Sequence, residues 1–224
     1  MMEIAPFLEI KPGVTALIGG GGKTSLLYAL GRELRGRGRV ILCTSTHIRR
    51  PGHVPVILSG GERKLEEALA RHGVVCAGTE AGDGKLTAPE PSFTRLARLA
   101  DYVLVEADGS RGLPLKAHAP HEPVIPDNAG NVVLVVGADG FGHSVSAVCH
   151  RPERWAALAR CSMDEPVTPA LSARVLLAEA LGSRVYINKV ESAALMAAAV
   201  ELSSYLTCHV TAGSLHEGVF RCLC

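Results

Sequence analysis

The stretch Ile18-Gly19-Gly20-Gly21-Gly22-Lys23-Thr24-Ser25 lies between an apolar run at residues 14–18 and a segment at 23–35 that puts Leu26, Leu27, Leu30 and Leu34 on one helical face. An apolar strand that turns through glycines into a helix is the setting a phosphate-binding loop requires. Glycines let successive backbone N–H groups crowd a polyphosphate, and the helix N-terminus adds partial positive charge. Lys23 is then placed to reach the β and γ phosphates, and Thr24 to put its hydroxyl on Mg²⁺, with Ser25 beside it. Gly19, Gly20, Gly21, Gly22, Lys23, Thr24 and Ser25 are therefore the candidate phosphate-binding residues. The first glycine of the usual G-x-x-x-x-G-K-[ST] spacing falls on Leu17.

Outward from that loop, short β-rich runs alternate with helical stretches, the pattern of a parallel α/β sheet. Strands are expected at 14–18, 39–44, 54–58, 102–106, 132–137, 184–188 and 208–211, with a run at 73–76 at a sheet edge. Helices are expected at 23–35, 62–72, 93–100, 153–160, 169–181 and 191–206. Ser92 and Thr168 read as N-caps, and Pro169 suits the first helical position. The fold class is a phosphate-loop NTPase-like, doubly wound, mostly parallel sheet with helices on both faces, in a single domain over 1–224. Residues 78–91 are turn-rich, a loop or hairpin. Residues 107–131 carry four prolines and no helical period, and long unstructured loops in compact domains are usually functional.

Composition narrows the classes. The 224 residues hold 23 Lys+Arg and 22 Asp+Glu, a net charge of +1, which argues against nucleic acid or an anionic membrane as partner. No apolar run approaches a membrane span. Seven scattered cysteines without a leader-like N-terminus suggest reduced thiols in a cytoplasmic protein. No C-x-x-C pair points to structural zinc; Cys222 and Cys224 read as a frayed terminus, with a metal or chalcogen hand-off site as the alternative.

Further motifs fall at strand ends. Glu106 and Asp108 follow the apolar run at 102–105, where phosphate-loop proteins carry the acid that holds Mg²⁺; either can serve, the other positioning an attacking water. Lys23, Glu106 and Asp108 are thus the candidate catalytic residues, and Thr24, Glu106 and Asp108 the candidate metal ligands. Asn188-Lys189-Val190-Glu191 resembles the N-K-x-D element by which GTP-binding proteins read guanine, with Glu191 at the acid position, so Asn188 and Lys189 are candidate nucleotide contacts. An ordinary polar turn capping the next helix fits the same residues. Thr44 and Thr46 face Mg²⁺ or serve the turn's backbone; Cys43 adjoins them in a strand. Arg111 and Lys116 are candidates for phosphate charge, while His118 and His121 fit either metal ligands or, more commonly, surface residues of a proline-rich loop.

Together, the run at 19–24, Thr44-Ser45-Thr46-His47-Ile48, Glu106-Ala107-Asp108-Gly109-Ser110-Arg111, Leu113-Pro114-Leu115-Lys116, His121 to Pro126 and Asn188-Lys189-Val190 resemble the YqeC family across about residues 14 to 212. The resemblance implies a cytoplasmic phosphate-loop protein that binds ATP or GTP with Mg²⁺. It also implies a role in maturing a selenium-dependent molybdenum hydroxylase or its selenium-containing cofactor. The expected activity is NTP hydrolysis, with residues 110–126 changing order with the γ phosphate. A phosphotransferase or a nucleotide-sensing scaffold on the same fold are the alternatives.

Overall fold

The computed structural model describes residues 2–58 and 61–223. Its centre is one sheet of nine strands: β1 (Gly13–Gly19), β2 (Val40–Thr44), β3 (Val56–Ile57), β4 (Val74–Ala77), β5 (Tyr102–Glu106), β6 (Ala129–Gly137), β7 (Arg184–Asn188), β8 (His209–Ser214) and β9 (Val219–Cys222). Their order is β9-β8-β7-β6-β1-β5-β2-β4-β3. Every pairing is parallel except β8 with β9. β1 therefore lies between β6 and β5, with Ile18 opposite Leu134 and Leu17 opposite Glu106. The inner strands are buried on both faces, which explains their unbroken apolar runs.

Alternation along the strands sorts the core. Leu17, Leu42, Leu104, Val135 and Tyr186 face α1 (Lys23–Leu34) and the N-terminal residues Ile4, Ala5 and Leu8. Leu26, Leu27, Leu30 and Leu34 of α1 are all fully buried there, and each contributes about 1.5–3 kcal/mol. The opposite face, through Ile41, Cys43, Val103 and Val105, receives α2 (Gly61–His72) and α3 (Phe93–Leu99). Farther along that face, Ile18, Leu134, Val136, Val185 and Ile187 pack with α5 (Pro152–Ala159), α6 (Pro169–Glu179) and α7 (Ala193–Ser204). A single turn, α4 (Val145–Val148), precedes α5.

Ser92, Thr168 and Ser192 cap α3, α6 and α7 by accepting the N–H groups of Arg95, Leu171 and Leu195. α6 ends at Glu179, two residues before the expected stop, because Ala180 turns left-handed (φ 49). The run near 73–76 is not at an edge: β4 pairs with both β2 and β3. Residues 78–91 do form a hairpin, Thr79–Glu80 with Lys85–Thr87, extended by Ile48–Arg49 into a small antiparallel sheet. The expected frayed terminus is instead β9, which pairs with β8 from Val219 to Cys222; Cys224 lies outside the described residues. Within 107–131, Leu115–Lys116 pairs with Cys149–His150, and β6 begins at Ala129 rather than 132. Among the described residues no helix is long and apolar enough to cross a membrane.

Candidate functional site

The C-terminal ends of β1, β5, β2, β6, β7 and β8 open onto one edge of the sheet, where ligands of open α/β folds bind. The glycine loop leaves β1 there and is shaped by distant backbone. The N–H of Gly20 donates to Val135 O at 3.0 Å and that of Gly21 to Leu113 O at 3.0 Å. A Cβ on Gly20 would meet the carbonyl oxygens of Pro114 at 2.6 Å and Leu113 at 2.8 Å. Gly19 donates its N–H to Asp108 Oδ2 at 2.9 Å. The first three glycines thus turn their N–H groups into the protein, not outward as their composition alone suggests. The outward donors are those that the start of α1 leaves without intrahelical acceptors, from Lys23, Thr24 and Ser25, with Gly22 at the cap.

Lys23 is 2% exposed. Its Nζ donates to Gly19 O, lies 3.1 Å from Asp108 Oδ1 and 3.4 Å from Ser110 Oγ. Asp108 is fully buried and collects three cations: Lys23, Lys116 Nζ at 3.0 Å and His118 Nε2 at 2.7 Å, both of the latter on Oδ2. Burial works to raise the Asp108 pKa, but the His118 hydrogen bond, the two lysines and the Gly19 N–H together hold it far below the usual carboxylate range. Lys116 also bonds Gly109 O at 2.6 Å and Glu122 Oε2 at 2.7 Å, and Arg151 pairs with that same Glu122 oxygen at 2.7 Å. His118 is 3% exposed, not the surface histidine expected. Its Nδ1 meets Glu179 Oε2 at 2.7 Å, and its backbone N–H meets Glu179 Oε1 at 2.7 Å. Burial opposes its charge, yet the two carboxylates, one at each ring nitrogen, outweigh that and raise its pKa. His121 is exposed.

Glu106 stands apart from this cluster. Its Oε2 accepts from Thr24 Oγ1 at 2.8 Å, joining the first turn of α1 to the end of β5. Burial raises its pKa, and the nearby Lys23 only partly offsets this. A buried carboxylate with no ion-pair partner among the described residues that touches a hydroxyl is a donor set suited to a small hard cation, which takes one or two carboxylates plus substrate oxygens. Among the described residues no group of three or more His, Cys, Asp or Glu gathers for another metal.

Asn188, from the end of β7, donates its Nδ2 to Gly21 O at 2.8 Å while its Oδ1 accepts from Tyr186 Oη at 2.9 Å and Leu215 N at 3.3 Å. It braces the glycine loop. Lys189, left-handed at φ 61, bonds Asp139 Oδ2 at 2.6 Å, and Glu191 Oε1 accepts from Ser214 Oγ at 2.8 Å. A cavity of about 670 Å³ lies beside α1, lined by Ser25, Tyr28, Lys189, Glu191, Leu215 and His216, among others.

Thr44 serves the turn: its hydroxyl donates to Glu106 O at 2.7 Å and accepts from Thr46 N at 3.0 Å. Cys43 is wholly buried in β2, and burial pushes its thiol pKa well up. Arg151 and Tyr186 carried no signal in the sequence, and only the fact that α6 ends in an acid hinted at Glu179; each reaches the site from a remote segment. Glu122 was legible as one more acid of the charged loop, but its pairing with Lys116 and Arg151 was not.

Fold and site together define a phosphate-loop α/β protein, with Gly-Lys-Thr opening α1 and an acid ending the neighbouring strand. The sequence profile of the family described as "YqeC protein" matches residues 15–153. The Escherichia coli (strain K12) protein named "Uncharacterized protein YqeC" is 37% identical over 156 residues, 66% of this chain and 60% of that relative's length. The chain belongs to the YqeC family. Among solved structures it is distantly similar to the 54 kDa signal recognition particle protein of Aeropyrum pernix K1, in complex with GDP. That likeness has a TM-score of 0.40 and 18% identity, over 95% of this chain and 44% of the other.

Proposed function

We propose that this chain binds a magnesium–nucleoside triphosphate, ATP or GTP, at residues 19–25 and hydrolyses it. The hydrolysis would drive a step in maturing a selenium-dependent molybdenum hydroxylase or its cofactor. The observation that carries the nucleotide reading is the Thr24–Glu106 contact beside the buried Lys23. The maturation role rests on the family resemblance alone.

In this reading the N–H groups at the start of α1 receive the phosphates. Lys23 exchanges part of its contact with Gly19 O and Asp108 for phosphate oxygen. Thr24 and Glu106 hold Mg²⁺, which when bound neutralises charge on the β and γ phosphates. Asp108, paired with Lys23, Lys116 and His118, positions Lys23 and the Gly19 peptide in this reading, and Glu106 rather than Asp108 meets the metal. The base enters the cavity beside Lys189 and Glu191.

Titration calorimetry with ATP and GTP, each with and without Mg²⁺, tests this on the full chain. The native chain should bind at least one of them and lose about tenfold or more in affinity without Mg²⁺, that is about 1.4 kcal/mol or more. Lys23→Ala should abolish tight binding, and Glu106→Gln should remove the Mg²⁺ dependence. Failure of both nucleotides to bind, or an unchanged affinity in Lys23→Ala, would overturn the reading.

A further inference from the structure

The loop after β5 crosses the mouth of the phosphate loop as a tight turn. Leu113 N donates to Ser110 O at 3.0 Å, and the two central residues, Arg111 and Gly112, both have positive φ, 52 and 79. Positive φ at both central positions is the mark of a type I′ turn, ordinarily built from Gly, Asn or Asp. Gly112 fits that demand and Arg111 does not. A non-glycine residue held there costs free energy, and such outliers cluster where a side chain has to be aimed.

The turn is fastened to the candidate site around its base. Leu113 O receives the N–H of Gly21, Ser110 Oγ lies 3.4 Å from Lys23 Nζ, and Gly109 O receives Lys116 Nζ at 2.6 Å. Pro114 O receives the N–H of Gly137, and the Pro114 backbone packs against Gly20. Its tip is the opposite case. Arg111 is exposed and has no hydrogen-bond or ion-pair partner among the described residues. By contrast Lys116 and Arg151, two other cations of this segment's surroundings, are both paired with Glu122. The chain thus carries an uncommitted guanidinium on a braced turn, one residue from a side chain that reaches the phosphate-loop lysine.

Resting on the nucleotide reading above, we propose that Arg111 is a catalytic residue, a cis-acting arginine that contacts the γ-phosphoryl group as it transfers to water. In that step the water oxygen forms a bond to the γ-phosphorus. The bond from phosphorus to the β,γ-bridging oxygen breaks, and its electron pair remains on the nucleoside diphosphate. One water proton is released to phosphate or solvent. Arg111 gives up no proton; its fork of N–H donors follows the charge that develops on the transferring group and the bridging oxygen. It therefore contributes little to binding of the diphosphate product.

The test compares the native chain with Arg111→Gly and Arg111→Lys. Glycine adopts the turn's φ without cost, so Arg111→Gly removes the side chain and leaves the backbone in place. Binding of ADP and GDP with Mg²⁺ is measured by calorimetry, alone and with fluoroaluminate, which mimics the transferring phosphoryl group. The native chain should bind whichever diphosphate it accepts more tightly when fluoroaluminate is present, with no second protein added. Arg111→Gly should keep its diphosphate affinity within about threefold, lose the fluoroaluminate gain, and slow single-turnover hydrolysis by about 10³-fold. Arg111→Lys, with charge but no fork, should recover only part of the gain. A native chain that binds diphosphate without a fluoroaluminate gain would overturn the proposal, as would a gain that survives in Arg111→Gly. A native chain that binds neither diphosphate nor triphosphate would instead overturn the underlying nucleotide reading.

Discussion

The carboxylate of Asp108 accepts the backbone N–H of Gly19 at 2.9 Å across 89 residues of sequence, and through its other oxygen it lies 3.1 Å from Lys23. One side chain therefore sets both the entry to the glycine loop and the resting position of its lysine. Asp108→Asn keeps the shape and removes the charge that Lys23, Lys116 and His118 share. Breaking a buried pair from one side costs about 3–5 kcal/mol. The urea midpoint of Asp108→Asn should fall accordingly. Its nucleotide affinity should drop equally with and without Mg²⁺; loss of the Mg²⁺ dependence itself would make Asp108 a metal ligand.

Gly20 has no room for a methyl group, since the carbonyls of Leu113 and Pro114 would lie within 2.8 Å of it and backbone cannot easily retreat. Gly20→Ala should push the turn at 110–113 off the glycine loop. The expected result is a folded chain whose triphosphate binding is lost and whose amide exchange at Gly21 and Leu113 is accelerated. Native-like binding by Gly20→Ala would refute the tight seating of these two segments.

Removal of the Asn188 side chain leaves Gly21 O, the Tyr186 hydroxyl and the Leu215 N–H without their partner. Such orphaned groups cost about 1–3 kcal/mol. Asn188→Ala should lower stability by that amount and weaken ATP and GTP equally, because Asn188 braces the loop. Glu191→Gln should act differently, altering the ratio of the two affinities while leaving the urea midpoint nearly unchanged. A carboxylate accepts from the two donors of guanine's edge, and adenine offers only one.

The raised pKa of the buried His118 sets a pH dependence whose sign follows from its shift. The folded chain binds the His118 proton more tightly than the unfolded chain does. Its contribution is complete below about pH 6.5 and is lost as pH rises through the raised value. Asp108 and Glu122 run the other way: each is held below its ordinary range, Glu122 down to about 2, against burial that pushes upward. Their contribution is complete above about pH 4.5 and fails as pH falls toward 2. Urea midpoints at about pH 6 and about pH 9 should drop for the native chain and stay nearly level for His118→Gln. Equal slopes in the two proteins would mean His118 is not charged in the fold.

The architecture was legible where local signals and tertiary packing agree. The strand–glycine–helix passage at 14–34, the caps at Ser92 and Thr168, and the apolar run ending at Glu106 each state their structure within a dozen residues. Legibility failed where the deciding partner is remote. His118 looks like a loop histidine until Glu179, 61 residues on, closes over it. Whether Glu106 or Asp108 meets Thr24 depends on which face of β5 each leaves from and on where Lys116 ends up. β9 was missed because four residues beside the terminus carry little apolar pattern, although the turn before them ends in Gly218 at φ 66. The three-stranded patch at 48–49, 79–80 and 85–87 was too short for any periodicity to register.

The glycine loop owes its form to Val135, Leu113, Pro114, Gly137 and Asn188, which arrive from three segments lying between 90 and 170 residues downstream. Such a cradle has no existence in a partly folded chain. A ligand seated in it would recognise only the finished molecule, so its binding free energy would add undivided to the barrier against global opening. Saturating ligand would then protect β7 and β6 from proteolysis and exchange as strongly as it protects α1, turning occupancy into a gauge of completed folding.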